Sequence, residues 1–287
     1  MTPRALSMPT LASIFGVDFS GGQAAARNTW IAELRSGDTR LILRSLRPLS
    51  AIVGEHADRP TALAGLSRLI AESRNAFWGM DFPFGLPVEL NAMGRTWRRQ
   101  LQFVAKWNGD ARSFGRWCVE EALKHSGVMH IRRITDRQTK TPFDCYHYRI
   151  VYQTFHGMRD VLAPLASQST TAILPFQYVR LPSAERVIVE ACPASALKRW
   201  GLPHQNYKQP SARRIAPEKR RTRLAILAAL ESAVAINPAP RKLMLTNPGG
   251  DALDAVIAGL STWQRFAELD HRAIRRHPRY PREGFVF

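Results

Sequence analysis

Cysteine is scarce in this chain of 287 residues, and long apolar runs are missing. The three cysteines, Cys118, Cys145 and Cys192, are widely spaced, which argues against a disulfide framework and a cysteine-rich zinc motif. We interpret them as small buried apolar residues, with catalytic use of one thiol left open. No apolar run approaches the roughly 20 residues that a membrane-spanning helix needs, and residues 1–10 lack the apolar region of a secretory signal. We therefore expect a cytoplasmic protein without a membrane partner.

Acidic residues are few relative to basic ones. The sequence has 23 Asp and Glu against 41 Lys and Arg, which leaves a formal net charge of +18. Such an excess predicts attraction to polyanions, above all to nucleic acid. The eight histidines show no spacing typical of a zinc site. The length allows one large domain or two modest ones. We predict a single domain over residues 1–287.

One of the few acids stands where the first predicted strand ends. Residues 11–17 are apolar apart from Ser13 and predict a buried strand. Asp18 comes next, and an acid there needs a hydrogen bond, an ion pair or a metal ion. Ser20-Gly21-Gly22 then predicts a turn whose backbone N–H groups can approach a ligand. The alternative is that Asp18 only shapes this turn.

Two further predicted strands also end in an acid. One apolar run closes with Asp81 before a proline-rich turn, and another closes with Glu190. Each acid has a structural alternative, because Asp81 could cap the turn and Glu190 could face solvent.

The order of the elements brings the first two acids together. Strands are predicted over residues 11–17, 28–34, 38–47, 76–81 and 186–190, with a helix over 61–73 before the fourth. The first three suggest an antiparallel meander because the gaps between them are short. A helical crossover usually joins parallel neighbours, so the first and fourth strands should lie side by side. We therefore expect Asp18 and Asp81 at the same edge of the sheet, where open α/β sheets form ligand sites.

An acidic pair opens a strongly predicted helix near residue 250. Asp251 and Asp254 are three residues apart and so share one helical face. Clustered carboxylates have raised pKa values unless a cation intervenes, and hard oxygen ligands suit Mg²⁺ or Mn²⁺. The candidate metal ligands are therefore Asp18, Asp81, Glu190, Asp251 and Asp254. Helix capping is the alternative for the acidic pair.

Basic and aromatic residues are interleaved over residues of about 90–180. We predict a large, mostly helical insertion here, between the fourth and fifth strands, with residues 148–162 as its best helix. Such interleaving suits backbone contacts and base stacking, although a small aromatic core with a basic face is the alternative. The predicted nucleic-acid contacts are Arg132, Arg133, Lys208, Arg213, Arg214 and Arg220. Residues of about 270–287 are predicted to form a basic surface arm.

Four motifs carry a resemblance to a known family. They are Gly16-Val17-Asp18-Phe19-Ser20-Gly21, Met80-Asp81-Phe82-Pro83-Phe84-Gly85-Leu86-Pro87, Val189-Glu190-Ala191-Cys192-Pro193 and Asp251-Ala252-Leu253-Asp254-Ala255. They resemble DUF429, a family described as predicted RNase H-like nucleases, and the order of elements is similar to the RNase H-like fold. The resemblance implies an RNase H-like mixed five-stranded sheet flanked by helices. It also implies metal-binding roles for Asp18, Asp81 and Asp254, a possible extra ligand in Asp251, and an undecided role for Glu190.

The leading hypothesis is therefore a Mg²⁺- or Mn²⁺-dependent nuclease. Asp18 would bridge two ions, Asp81 and Asp254 would each hold one, and a water would attack the phosphorus in line. One alternative is an ATP-binding phosphotransferase or ATPase of the actin-like class, and another is a nucleic-acid-binding protein without catalysis. The sequence does not decide between DNA and RNA or between endonuclease and exonuclease action.

Overall fold

A mixed sheet of seven strands, with helices on both faces, forms the centre of the molecule. The computed structural model describes residues 8–210 and 214–287. The strands are β1 (Ser13–Asp18), β2 (Trp30–Ser36), β3 (Leu41–Pro48), β4 (Ala76–Met80), β5 (Thr171–Ile173), β6 (Arg186–Glu190) and β7 (Val234–Ala235). Their spatial order is β5-β6-β4-β1-β2-β3-β7.

The strand directions follow the pattern expected from the sequence. β1, β2 and β3 form the predicted antiparallel meander, and β1 and β4 are the predicted parallel neighbours. β6 is parallel to β4. The prediction of five strands is wrong, because β5 pairs with β6 at one edge and β7 pairs with β3 at the other. These two strands have three and two residues, too few to show an alternating pattern.

The helices fill the connections between the strands. The α-helices of the described residues are α1 (Ala25–Asn28), α2 (Ser50–Val53), α3 (Arg59–Glu72), α4 (Trp97–Ala105), α5 (Ala111–Ser126), α6 (Ile134–Thr139), α7 (Val151–His156), α8 (Ala163–Ala166), α9 (Pro193–Arg199), α10 (Pro217–Ala233), α11 (Pro238–Thr246), α12 (Asp251–Glu268), α13 (His271–Arg276) and α14 (Tyr280–Glu283). Short 3₁₀-helices cover Asn91–Met93 and Tyr178–Ser183, and a π-helix covers Gly157–Leu162. None of the described helices is long and apolar enough to cross a membrane.

The two faces of the sheet pack against different apolar layers. Val17 and Met80 lie in the layer that contains α3 and the helices after β4, whereas Phe77 lies in the layer that contains α12. Successive side chains of a strand point to opposite faces. Asp18 and Asp81, which follow Val17 and Met80, therefore face α12.

Two glycines let α12 lie directly on the sheet. A Cβ atom at Gly16 of β1 would overlap the carbonyl oxygen of Ala255, and one at Gly79 of β4 would overlap the hydroxyl of Thr262. No larger residue fits at either position while the helix stays where it is. This close approach brings the first turn of α12 to the ends of β1 and β4.

The chain between β4 and β6 forms helices α4 to α8 and the short strand β5. The single helix predicted over residues 148–162 is interrupted, because α7 continues as the π-helix before α8 begins. The rings of Trp107, Phe114 and Trp117 pack against one another, with centroids 5.5–6.1 Å apart. These rings therefore belong to a small aromatic core, which was the alternative interpretation.

The predicted surface arm at residues 270–287 is wrong. Phe285, Val286 and Phe287 are buried, and Val286 forms a parallel bridge with Glu190 at the end of β6. The backbone N–H of Phe287 donates to the Glu190 carbonyl oxygen at 3.0 Å. The arginines and prolines of this segment suggested an arm, but its apolar last residues dock it against the sheet.

Candidate metal centre

Three carboxylates converge where β1, β4 and α12 meet. Asp18 ends β1, Asp81 directly follows β4, and Asp254 lies in the first turn of α12. Each offers one oxygen, and the three oxygens all lie within 4.8 Å of one another. Asp254 is completely buried, whereas the other two are partly exposed. The structure thus brings together the three acids predicted as catalytic.

The surroundings of Asp18 and Asp81 disfavour negative charge. Within residues 8–210 and 214–287, no hydrogen bond reaches either carboxylate. Burial raises the pKa of Asp18 well above its ordinary value, Lys208 opposes this, and neighbouring acids led by Asp254 reinforce it. Burial likewise raises the pKa of Asp81 to about 7, against the attraction of Lys208. Two crowded carboxylates without hydrogen-bond donors form a site that favours a cation.

Asp254 is held by two neighbours from the loop before α10. The Tyr207 hydroxyl donates to Oδ1 of Asp254 at 2.8 Å, and the ammonium of Lys208 pairs with Oδ2. The partial loss of hydration around Lys208 opposes its charge, but Asp254, Tyr207 and Asp18 raise its pKa well above the ordinary value. Lys208, predicted as a nucleic-acid contact, is therefore paired with one of the three carboxylates. The sequence signalled Tyr207 only as part of a basic loop.

A buried arginine fixes this loop against the turn before α12. Arg223 of α10 is fully buried, and its Nε donates to the Tyr207 carbonyl oxygen at 2.7 Å. Its remaining nitrogens donate to the carbonyl oxygens of residues 244, 245, 247 and 248. One side chain thus positions both the partners of Asp254 and the start of α12. Nothing in the helical pattern of α10 distinguished this arginine from its exposed neighbours.

Asp251 lies beside the three carboxylates and faces the same cleft. Burial raises its pKa, as does Asp254, while Lys208 and a hydrogen bond with Asn247 lower it. The residue before α12 is Gly250, which provides no side-chain cap. The capping arrangement proposed as the alternative for the acidic pair is therefore not present.

Glu190, a predicted metal ligand, points away from the other acids. It pairs with Met80 in the parallel register, so it lies on the opposite face of the sheet from Asp81. Its oxygens accept from Arg133 at 2.5 and 2.9 Å and from the Phe84 backbone N–H at 2.9 Å. The metal-ligand prediction for Glu190 is wrong, since these donors occupy both oxygens.

Arg133 is correspondingly unavailable to nucleic acid. Its side chain is 1% exposed and also pairs with Asp136 at 2.8 Å. The predicted contact at Arg133 is wrong for this reason. An arginine in a basic stretch looks the same in sequence whether it is buried in an ion pair or exposed.

The carboxylates lie in a cleft of about 950 Å³. Its lining includes Pro142, Phe143, Ile150 and Gln153, together with residues 204–208, 210 and 247–249. Arg27 and Lys219 also face it. Cys192 lies on its edge, where burial, with a smaller contribution from Asp81, raises the pKa of the thiol to about 12. A thiol that stays protonated is a poor nucleophile, which argues against catalysis by Cys192.

The other predicted nucleic-acid contacts have different positions. Arg132 lines a neighbouring cavity of about 590 Å³. Arg214 and Arg220 are exposed but line neither cavity. Arg213 lies outside the described residues.

Comparison with known families finds one match. Residues 167–277 match the DUF429 family, described as a protein of unknown function. The family recognised from the sequence motifs is confirmed over this range, which contains Glu190, Asp251 and Asp254 but not Asp18 or Asp81. No curated protein and no solved structure matches the chain. The description of the family names no activity.

Proposed function

We propose that this DUF429 chain is a Mg²⁺- or Mn²⁺-dependent nuclease with an RNase H-like core. The observation that carries the proposal is the convergence of Asp18, Asp81 and Asp254 at one end of the sheet, with oxygens within 4.8 Å of one another. The order along the chain supports the fold assignment, because a three-stranded meander, a helix, a fourth strand, an insertion, a further strand and a helix follow in the expected sequence.

The donor set fits a hard divalent cation. Mg²⁺ holds carboxylate oxygens at about 2.0–2.1 Å, so ligands on one ion lie a few ångströms apart, as these three do. The raised pKa values of Asp18 and Asp81 are what crowded, buried carboxylates have before a cation compensates them. A divalent ion bound there would supply Lewis acidity toward a phosphodiester and lower the pKa of a water.

The side chains around the three acids have separate tasks in this proposal. Tyr207 holds Oδ1 of Asp254 and so fixes the orientation of that carboxylate. The side chain of Lys208 is 46% exposed to the cleft, which lets its ammonium turn from Asp254 toward a phosphate oxygen. Asp251 adds negative charge at the rim and strengthens the field for cations.

The net charge of +18 supports a polyanionic substrate. Binding should therefore weaken steeply between about 50 and 200 mM salt. Salt-independent binding would contradict the proposal.

The test is a cleavage assay on labelled single-stranded and double-stranded DNA and RNA and on a branched junction. Each is incubated with Mg²⁺, Mn²⁺ or EDTA and with the wild type, Asp18→Asn or Asp38→Asn. Asp38 is an exposed acid in the loop between β2 and β3, so its variant controls for loss of charge. Metal-dependent cleavage that is lost only in Asp18→Asn supports the nuclease. ATP hydrolysis without cleavage would instead favour the phosphotransferase, and binding without either activity would favour the non-catalytic protein.

A further inference from the structure

We propose that the substrate is single-stranded nucleic acid, which runs from the acidic cleft into the neighbouring basic cavity and stacks its bases on the exposed ring of Tyr148. The proposal rests on the proposed nuclease function. It adds the form of the substrate and the path that the strand follows.

The two cavities are adjacent and share lining residues. Pro142, Phe143, Ala194, His204 and Gln205 border both the cleft of about 950 Å³ and the cavity of about 590 Å³. A chain bound at the three carboxylates can therefore extend past these shared residues into the second cavity.

The charged side chains that line the second cavity are all positive. Four cationic side chains line it, Arg132, Arg137, Lys140 and Lys198, and none of its described lining residues is acidic. The guanidinium of Arg132 is held in place, because it donates to the carbonyl oxygens of Thr141 at 2.8 Å and of residue 142 at 3.0 Å. Arg137 and Lys140 are exposed. Such a groove suits a phosphate backbone.

A series of rings leads out of the border between the cavities. Phe143 stacks on His147 with centroids 4.5 Å apart, and His147 lies 4.4 Å from Tyr148. The guanidinium of Arg149 lies 5.5 Å from the centroid of Phe143 and 5.6 Å from that of Tyr148. Tyr148 is 70% exposed, which leaves its ring available to a base. Aromatic rings beside a basic groove are the usual platform for single strands.

The form of the site favours one strand over two. The faces of duplex bases are already stacked on each other and cannot stack on Tyr148, whereas those of a single strand can. Asp254 is completely buried at the floor of the cleft, whose volume is that of a small-molecule site. Such a cleft admits nucleotides of one strand rather than the cross-section of a duplex.

Fluorescence anisotropy in EDTA tests binding without cleavage. The probes are a labelled 20-nucleotide DNA, an RNA of the same sequence and the corresponding blunt DNA duplex. The variants are Tyr148→Ala, Tyr148→Phe and the double variant Arg137→Gln/Lys140→Gln. The control, Arg275→Gln/Arg276→Gln, removes the same charge from two exposed arginines in the last turn of α13 that line neither cavity.

We expect the wild type to bind single strands at least about ten-fold more tightly than the duplex. Tyr148→Ala should weaken single-strand binding about five-fold or more, and Tyr148→Phe should restore it. The Arg137/Lys140 variant should weaken single-strand binding and make the slope of log affinity against log salt concentration shallower by about 1.4. The Arg275/Arg276 control should change neither the affinity nor the slope. The DNA and RNA arms identify which single strand binds better.

Equal affinity for duplex and single strand would overturn the proposal, as would equal effects of the two charge variants. Failure of the nuclease function would look different. Single-strand binding in EDTA would still respond to the variants and to salt as described, but neither Mg²⁺ nor Mn²⁺ would produce cleavage.

Discussion

The ammonium of Lys208 pairs with the buried carboxylate of Asp254. Oxygens of Asp18 and Asp81 lie close enough to that carboxylate for one divalent ion to contact all three acids. A lysine and a divalent ion would therefore compete for one set of oxygens. Lys208 supplies a counter-charge for Asp254 before metal binds, so the response to metal should depend on Lys208.

Replacement of Lys208 by methionine should increase the stabilisation by Mg²⁺ or Mn²⁺. The variant leaves the carboxylates without their counter-charge, so the metal-free protein should unfold at a lower temperature than the wild type. Metal at about 100 times the wild-type dissociation constant should raise the unfolding temperature of the wild type by about 5 °C or more, and the same metal concentration should raise that of the variant by more. Thermal unfolding with and without metal measures this.

Lys106→Met is the matched control for that experiment, because Lys106 is exposed and lies outside the cleft. An equal metal response in Lys208→Met and the wild type would contradict competition at Asp254.

Gly16→Ala should disrupt both the fold and the site. The added methyl group would overlap the Ala255 carbonyl oxygen, so α12 must move off the sheet, at a cost of about 1–3 kcal/mol or more in the free energy of unfolding. Because α12 carries Asp254, the metal-induced rise in unfolding temperature should shrink as well. In Gly22→Ala the new atom meets only the Ser20 hydroxyl, at 3.6 Å, and this variant should behave as the wild type.

Glu190→Gln should separate a structural role from a ligand role. The change weakens the buried pair with Arg133 and should lower the unfolding temperature, since Arg133 then loses one of its two acidic partners. The stabilisation by metal should nevertheless persist. Asp81→Asn should show the opposite result. The metal-free protein should remain stable, and metal should raise its unfolding temperature little. Loss of the metal response in Glu190→Gln would restore that residue as a ligand.

The stability of the metal-free protein should depend on pH through Asp81. Burial raises the pKa of this carboxyl from 3.8 to about 7. The folded protein then holds the Asp81 proton more tightly than the unfolded chain does. The stabilisation that this proton contributes is therefore complete below about pH 4 and is lost as the pH rises through about 7. Thermal unfolding in EDTA from pH 5 to pH 8 should show this fall.

Stabilisation by Mg²⁺ should follow the reverse trend and grow over the same pH range, because the metal binds the ionised carboxylate. Asp81→Asn in EDTA should reduce the pH dependence, with the remainder coming from Asp18, whose pKa burial also raises. An unchanged slope in that variant would assign the titration to another group.

The parts predicted well from the sequence are those that depend on local pattern. Strand ends at Asp18 and Asp81 were visible from apolar runs, and the helical crossover between them implied parallel pairing. The i, i+3 spacing identified the acids at the start of α12. Periodicity and connectivity were sufficient for these features because each is set by a few neighbouring residues.

The errors arose where the outcome depends on partners distant in sequence. Glu190 ends a strand as Asp81 does, but its register against Met80 turns it to the other face, where Arg133 meets it. No pattern in the sequence of β6 alone predicts how this strand is aligned with β4. Arg223 and Tyr207 were missed for the same reason, because their importance comes from a loop and a turn that meet only in the folded chain.

The three converging carboxylates also determine which fragments of the chain can contain the whole site. Asp18 and Asp81 precede the matched residues 167–277, and Asp254 lies within them. A fragment cut at the limits of the family match would carry one of the three acids and would lack β1 and β4, on which α12 rests. A response to metal at these three acids would therefore report complete folding, because it would require that residues distant in sequence have already met.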